Sequence, residues 1–329
     1  MSEWQGKRVL VTGAYGFLAG HLIEALLERK ADVIGLVRDC PAESYLQLRG
    51  LDTRLTRVQG DITDLEACRR AMNEHEVEVV FHLAAQAIVG MANRSPLSTF
   101  ESNIRGTYVL LEACRELCAD QSPLQAIVVA SSDKAYGDQA ELPYCEEAPL
   151  LGLHPYDASK SCADLITRAY HKTYALPVAV TRCANLYGPG DLNFSRIVPA
   201  TLKSVIEGDR PIIRSDGSPQ RDYLFVKDAA EGYLALAECV AHGSAAGRAY
   251  NLGTGVPVTV LELVAGIIAA TGSDLAPDVQ GTASSEIQHQ YLDPSRARDD
   301  LAWTARTSLA QGLQASYDWY KGYCADHGV

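Results

Sequence analysis

The apolar positions of the first half fall into short continuous runs separated by stretches with helical spacing. Short segments rich in apolar residues predict strands at Arg8–Thr12, Asp32–Val37, Leu55–Gln59, Val77–Leu83, Gln125–Ser131 and Val178–Arg182. Between them, apolar residues three and four apart predict helices over Gly16–Arg29, Leu65–Asn73, Thr99–Cys118 and Tyr156–Tyr174. Strands apolar throughout, alternating with helices, indicate a parallel sheet covered on both faces, an α/β fold. After about Cys183 the rhythm weakens. Turn-rich pieces appear (YGPGDLNF, RSDGSPQRD, NLGTGVP), with helices predicted at Ile197–Glu207, Ala229–Cys239 and Val260–Thr271. This divides the chain into residues 1–183, a doubly wound core, and 184–329, a smaller lobe over the carboxyl ends of the strands, where open α/β sheets take ligands. No linker separates the two, so segments are free to cross.

Composition narrows the function. The 329 residues carry a formal net charge of −12, without runs of like charge. That balance argues against general binding to nucleic acid or an anionic membrane. No apolar run approaches the roughly 18 residues of a membrane span, and the start MSEWQGKRVLVTG has no signal-peptide core. The nine cysteines are odd in number and contain no C-x-x-C pair, which fits a reducing cytoplasm. Cys114 and Cys118, one helical turn apart, are expected to pack on a helix, and no metal site is expected.

The first strand runs into TGAYGFLAGHL. Gly13 allows a tight turn, Gly16 lets the backbone approach a pyrophosphate, and Ala19 and Gly20 let the helix sit close to the sheet. The open helix terminus then offers N–H groups to phosphate. A glycine turn between the first strand and first helix is the mark of a Rossmann-type dinucleotide site. At the end of the second strand, Asp39 favours NAD by accepting from ribose hydroxyls, whereas Arg38 leaves NADP possible. Asp61 and Ile62, in QGDITD, stand where an adenine would be gripped.

Tyr156 and Lys160 lie four apart on one helix face. A phenol near pKa 10 is a poor base at neutral pH, and a nearby ammonium lowers it. Ser132, at the end of the fifth strand, is placed to bond the same substrate oxygen.

With TGAYGFLAG, GDITD, FHLAAQ, NIRGT, SSDKAYG, YDASK, RCANLYGPG and RDYLFVKD, the chain resembles the extended short-chain dehydrogenase family of nucleotide-sugar epimerases and dehydratases over nearly its whole length. The resemblance implies a catalytic set of Ser132, Tyr156 and Lys160. It implies cofactor contacts from Gly13, Tyr15, Gly16, Phe17, Leu18, Arg38, Asp61, Ile62, Leu83, Ala84, Ala85, Gln86, Asn103, Tyr156 and Lys160, with Asn103 supporting the lysine. Substrate contacts fall to Gln86, Ser132, Asp133, Asn185, Arg196 and Arg221, with Asn185 and Arg221 near the diphosphate. It also implies a homodimer joined through the Thr99–Cys118 and Tyr156–Tyr174 helices, four helices in all.

Family members share oxidation at sugar carbon 4. A 4-epimerase needs little more; a 4,6-dehydratase also needs an acid and a base to remove water across carbons 5 and 6. Asp133 and Lys134 follow Ser132 directly, and SSDKAYG is similar to the SSDKCYG of CDP-glucose 4,6-dehydratases. Asp133 would protonate the departing hydroxyl, and Lys134, with its pKa depressed, would take the carbon 5 proton. The bland alternative is an ion pair between the two at the strand end. IIRSDGSPQRDYLFVKD is closer to the epimerase and GDP- or dTDP-sugar branches, and GLVRD to GDP-mannose dehydratases, so the base stays open. The expectation is a nucleotide-sugar 4,6-dehydratase with bound NAD; the alternative is a 4-epimerase of a UDP-hexose or UDP-hexuronate. UDP-uronate decarboxylases usually carry glutamate where Lys134 stands. A non-enzymatic dinucleotide sensor is disfavoured by the intact Ser132, Tyr156 and Lys160.

Overall fold

A computed structural model describes residues 3–119, 123–282 and 287–328. Seven parallel strands form the central sheet. Six come from the first half: β1 (Arg8–Thr12), β2 (Asp32–Val37), β3 (Thr56–Gln59), β4 (Val79–His82), β5 (Ala126–Ala130) and β6 (Val178–Cys183). The spatial order is β3, β2, β1, β4, β5, β6 and then Ala249–Leu252. The order reverses direction between β1 and β4, which opens a crevice at their carboxyl ends.

The strands are apolar on both faces because helices cover both. On one side, α1 (Phe17–Glu28) and Val226–Ala241 bury Leu22, Leu26, Tyr233 and Leu236 against Val9, Val11 and Phe81. On the other, Leu65–Glu74 and Gly106–Ala119 bury Cys68, Met72, Leu110 and Cys114 against Leu10, Val80 and Ile127. Cys114 packs as expected, 3.9 Å from the Met72 sulfur, and all nine cysteines are free thiols.

The second half returns to the sheet twice, through Val226–Ala241 and the edge strand Ala249–Leu252. Neither the strand nor the long carboxyl-terminal helix Leu309–His327 is among the sequence-predicted elements. The AYNL strand is four residues long and buried throughout, so it shows no alternation. The last helix places Gly312 and Ser316 on its buried face, which blurs its period, although Ser308 and Gln311 close a capping box. A separate cluster of Tyr187, Leu202, Leu263, Ile267 and Leu313 holds the smaller lobe together.

The helix expected over Thr99–Cys118 is interrupted. It runs as Pro96–Phe100, one π-helical turn at Glu101–Arg105, then Gly106–Ala119. Such a turn holds an extra residue and re-aims its side chains, and it recurs at functional sites. Here it carries Asn103. Gly106 is needed just beyond, since a Cβ there would stand 2.5 Å from Ile62 Cγ2.

His82, at the end of β4, ties the sheet to that helix. Its Nδ1 lies 2.9 Å from Thr12 Oγ1 and its Nε2 lies 3.0 Å from Thr107 Oγ1. Thr12 Oγ1 already accepts from the Leu83 and Ala84 N–H groups, so its own proton goes to Nδ1. The Thr107 hydroxyl donates to the Asn103 carbonyl, so it accepts from Nε2–H. The ring is therefore held neutral with its proton on Nε2, with no room for a second at Nδ1.

Burial pulls the His82 pKa down to about 3, with Lys160 adding to it. Burial likewise pulls His21 down to about 4, against the opposing Pro189 carbonyl and Glu24. In the unfolded chain both rings bind a proton near pH 6.5. As pH falls from about 6.5 towards 4, the unfolded state takes up protons that the folded state refuses, so this contribution to stability is full above 6.5 and is lost on acidification. For His82 the loss by pH 4 is on the order of 3 kcal/mol. Urea unfolding at pH 7.5 and pH 4.5 checks this. His82→Gln should lose less stability between the two than the wild type does; an equal loss would remove His82 from the acid response.

Candidate active site

The crevice is a cleft of about 1320 Å³ running from the glycine turn to the smaller lobe. At its amino-terminal end the Gly16 N–H closes a turn on the Gly13 carbonyl at 2.8 Å. Gly13 has φ +69°, and a Cβ there would come within 2.8 Å of the Ala84 backbone. Gly16 has an ordinary φ of −70° and caps α1 without any side chain, leaving the helix N–H groups open. This is the cradle a dinucleotide phosphate needs, and Gly13 is the position that admits no side chain. Gly13→Ala should weaken NAD binding at least tenfold and lower the melting temperature as well. Calorimetric titration beside a thermal melt would show this; unchanged affinity would show that the turn does not hold phosphate.

Tyr15, Phe17, Leu18, Ile62, Leu83, Ala84, Ala85 and Gln86 all line the same cleft. Arg38 is bracketed by carboxylates, with Nε 2.6 Å from Asp39 and Nη1 3.8 Å from Asp61. A guanidinium already facing two acids is poorly placed to receive a further phosphate, so the adenosine end suits NAD. Asp61 also accepts from the Thr63 N–H and hydroxyl, both at 2.8 Å, and so makes a turn as well as a wall.

Asn103 does not touch Lys160. Its Oδ1 accepts from the Gln86 N–H at 2.7 Å, and its Nδ2 donates to the Gln86 carbonyl at 3.1 Å and to Ser159 Oγ at 2.9 Å. It clamps the Leu83–Gln86 wall to the residue preceding the lysine, an indirect support.

The helix Pro155–Tyr174, which carries Tyr156 and Lys160, opens with proline in its first turn. Three bonds fasten it to the end of β5 and the turn beyond: Ser131 Oγ to the Lys160 carbonyl at 3.1 Å, Lys160 Nζ to the Ala130 carbonyl at 2.7 Å, and Ser161 Oγ to the Ala135 carbonyl at 3.0 Å. Fully buried Arg182 holds the helix from beneath. It makes a two-pronged pair with Asp164 at 2.8 and 3.1 Å and donates to Tyr136 Oη at 2.9 Å.

Burial pushes the Tyr156 phenol up to about 12; a hydrogen bond with Ser132 pulls it down, Asp133 raises it and Arg196 lowers it. Burial pulls the Lys160 ammonium down to about 8, with Cys183 opposing. The Lys160 ammonium is turned to the Ala130 carbonyl, and Arg196, which also pairs with buried Asp191 at 3.0 Å, is a cation that favours the phenolate.

Ser132 caps the short 3₁₀ turn Asp133–Tyr136, accepting from the Lys134 N–H at 3.2 Å. Its hydroxyl stands 3.1 Å from Asp133 Oδ1, while Asp133 Oδ2 is buried without a hydrogen-bond partner. The Lys134 ammonium donates to Gln290 Oε1 rather than closing an ion pair with Asp133. Gln290 and His82 escape sequence reasoning. Gln290 sits on the two-residue strand His289–Gln290 in a stretch without periodicity, and FHLAAQ shows His82 only as part of a motif.

At the far end Asn185, Arg196 and Arg221 line the cleft. Asn185 Nδ2 donates to the Asp222 carbonyl at 3.3 Å and Arg221 to the Gln220 carbonyl at 2.8 Å. Ser132, Asp133, Lys134, Tyr156 and Lys160 line its middle, so every sequence-predicted site residue except Asn103 reaches the one cavity.

Comparison with known proteins agrees with this geometry. The NAD dependent epimerase/dehydratase family matches residues 9–253. A CDP-glucose 4,6-dehydratase of Salmonella typhimurium is 31% identical over 97% of this chain and 92% of its own length. A trifunctional UDP-glucose 4,6-dehydratase/3,5-epimerase/reductase of Arabidopsis thaliana is 30% identical over 97% of this chain, which spans only 48% of that longer protein. Among solved structures, a UDP-glucose 4-epimerase of Stenotrophomonas maltophila with bound NAD and formylated UDP-arabinopyranose has a TM-score of 0.88 at 26% identity, covering 97% of this chain and 99% of that one. Agreement over that much of the chain, with the glycine turn and the Ser132, Tyr156 and Lys160 set in one cleft, places this protein in the NAD-dependent epimerase/dehydratase family of extended short-chain dehydrogenases.

Proposed function

We propose that the protein is a nucleotide-sugar 4,6-dehydratase that converts an NDP-hexose to the 4-keto-6-deoxy sugar. One observation carries the choice over epimerase: the Asp133–Lys134 turn lines the middle of the cleft beside Ser132 and Tyr156, with a buried carboxylate oxygen left unpartnered. Such an oxygen is costly unless something arrives to use it. Epimerisation has no use for an acid there, whereas loss of water does.

The glycine turn, Arg38, Asp39, Asp61 and the Leu83–Gln86 wall would hold NAD. Held there, NAD would supply the hydride acceptor for sugar carbon 4 and the hydride donor for carbon 6. Tyr156 takes the proton of the 4-hydroxyl, with Ser132 bonded to the same oxygen, and Arg196 favours the phenolate. The 4-ketone makes the carbon 5 hydrogen acidic. Lys134, as the free amine, removes that proton. The C–H electron pair becomes the carbon 5–carbon 6 double bond as the C6–O bond breaks, and protonated Asp133 gives its proton so that water departs. Lys134 then returns a proton to carbon 5. Asn185, Arg196 and Arg221, in the lobe of residues 184–329, would take the diphosphate.

The epimerase reading keeps one specific support, the likeness of the whole fold to a 4-epimerase. Incubation with CDP-, UDP-, dTDP- and GDP-hexoses and product mass decide between the two: loss of water means dehydratase, and an unchanged mass with altered retention means epimerase.

A homodimer through the long helices is supported by their exposed apolar side chains, Tyr108, Leu165 and Tyr174. A reducing, cytoplasmic setting is supported by nine free thiols. No described helix is long and apolar enough to cross a membrane.

A further inference from the structure

Gln290 has no solvent exposure and comes from a strand remote in sequence from the catalytic turn. Its Nε2 donates to the Asp133 carbonyl at 3.1 Å, and its Oε1 accepts from the Lys134 ammonium. A carbonyl only accepts, so the amide nitrogen must face Asp133 and the oxygen must face Lys134. The amide cannot rotate without losing both bonds. Its backbone is fixed as well: His289 and Gln290 pair in parallel with Gln220 and Arg221, and the next turn is held by Tyr144 N–H to the Tyr291 carbonyl at 3.0 Å and Asp293 N–H to the Tyr144 carbonyl at 2.9 Å.

We propose that Gln290 is a positioning residue for the carbon 5 proton transfer, holding the Lys134 side chain in place through a neutral acceptor while fixing the Asp133 backbone with the same amide. This rests on the dehydratase reading above. Among the described residues, Asp133 on its own turn and Asp157 on the helix Pro155–Tyr174 lie near Lys134; burial raises the Asp157 carboxyl, and Lys134 and His154 pull it down. A carboxylate in the place of Gln290 would favour the ammonium; an amide orients the nitrogen without adding that charge. The residue type is thus matched to a lysine that must exist as the free amine.

The test compares Gln290→Glu and Gln290→Met with the wild type. NAD affinity and melting temperature are measured first. Solvent deuterium entering carbon 5 of the nucleotide hexose that the wild type dehydrates is then followed across pH 6 to 10. In Gln290→Met the amine loses this orienting acceptor, so exchange should fall by about 10- to 100-fold at every pH, while substrate still drives the rise in reduced-nicotinamide absorbance. In Gln290→Glu the added charge should move the rising limb of the exchange profile up by about one pH unit or more, so activity lost at neutral pH returns in base. A residue that only filled space would leave that profile in place. Should either variant fail to fold, the other still decides. Wild-type exchange with unchanged profiles and rates in the variants overturns the role of Gln290 alone. No carbon 5 exchange in the wild type overturns the dehydratase reading and this role with it.

Discussion

Tyr156→Phe should lower turnover by roughly 10²- to 10⁴-fold, the range for loss of a general base, while NAD binding stays within about twofold of wild type. The phenol lines the middle of the cleft, away from the Gly13–Gly16 cradle, so the two functions separate in space. In the ligand-free site burial holds the phenol up near 12, and it is protonated at neutral pH. Positive charge lowers such a value, and Arg196 is the chain's own contribution. The variant keeps the ring and its packing but has no proton to exchange with the 4-hydroxyl. Substrate addition should therefore produce no reduced-nicotinamide absorbance at all. Turnover within tenfold of wild type would displace Tyr156 from the centre of the chemistry.

Lys134→Ala should fail at a later point. In the proposed mechanism oxidation at carbon 4 uses Ser132 and Tyr156, so reduced-nicotinamide absorbance should rise on adding substrate and then stall. Release of the 4-keto-6-deoxy product should fall by roughly 10²- to 10⁴-fold. The melting temperature should change little, because Lys134 is only part-buried, although Gln290 loses the donor to its Oε1. Rapid-mixing absorbance beside product mass separates the two variants: no rise for Tyr156→Phe, a rise without product for Lys134→Ala. Product formation at the wild-type rate in Lys134→Ala would leave the lysine as a binding residue only.

The parallel sheet was legible because strands buried on both faces read as continuous apolar runs, and β1, β2 and β5 lie within one residue of their expected bounds. The glycine turn was legible because a steric need leaves a residue signature, although the structure moves the sharper constraint from Gly16 to Gly13. What the sequence hid depends on tertiary contact. The π-helical turn carrying Asn103 has no periodic mark, since one extra residue in a helix leaves the apolar spacing almost intact. Ala249–Leu252 becomes a strand only because β6 lies beside it. Spacing placed Tyr156 and Lys160 on one face but could not say that the lysine would turn to the Ala130 carbonyl, or that Arg196 from the other lobe would act on the phenol. Gln290 is invisible for the same reason, being brought to Lys134 across 156 positions of chain.

The most direct measurement is the isotope content of product formed in heavy water. With the nucleotide hexose that gives turnover, product isolated from deuterium oxide should carry deuterium at carbon 5, because in the proposed mechanism Lys134 removes the hydrogen there and returns one drawn from solvent. A 4-epimerase never opens carbon 5. Turned-over product with its original hydrogen at carbon 5 would contradict elimination across carbons 5 and 6 and leave the Asp133–Lys134 turn without a chemical role.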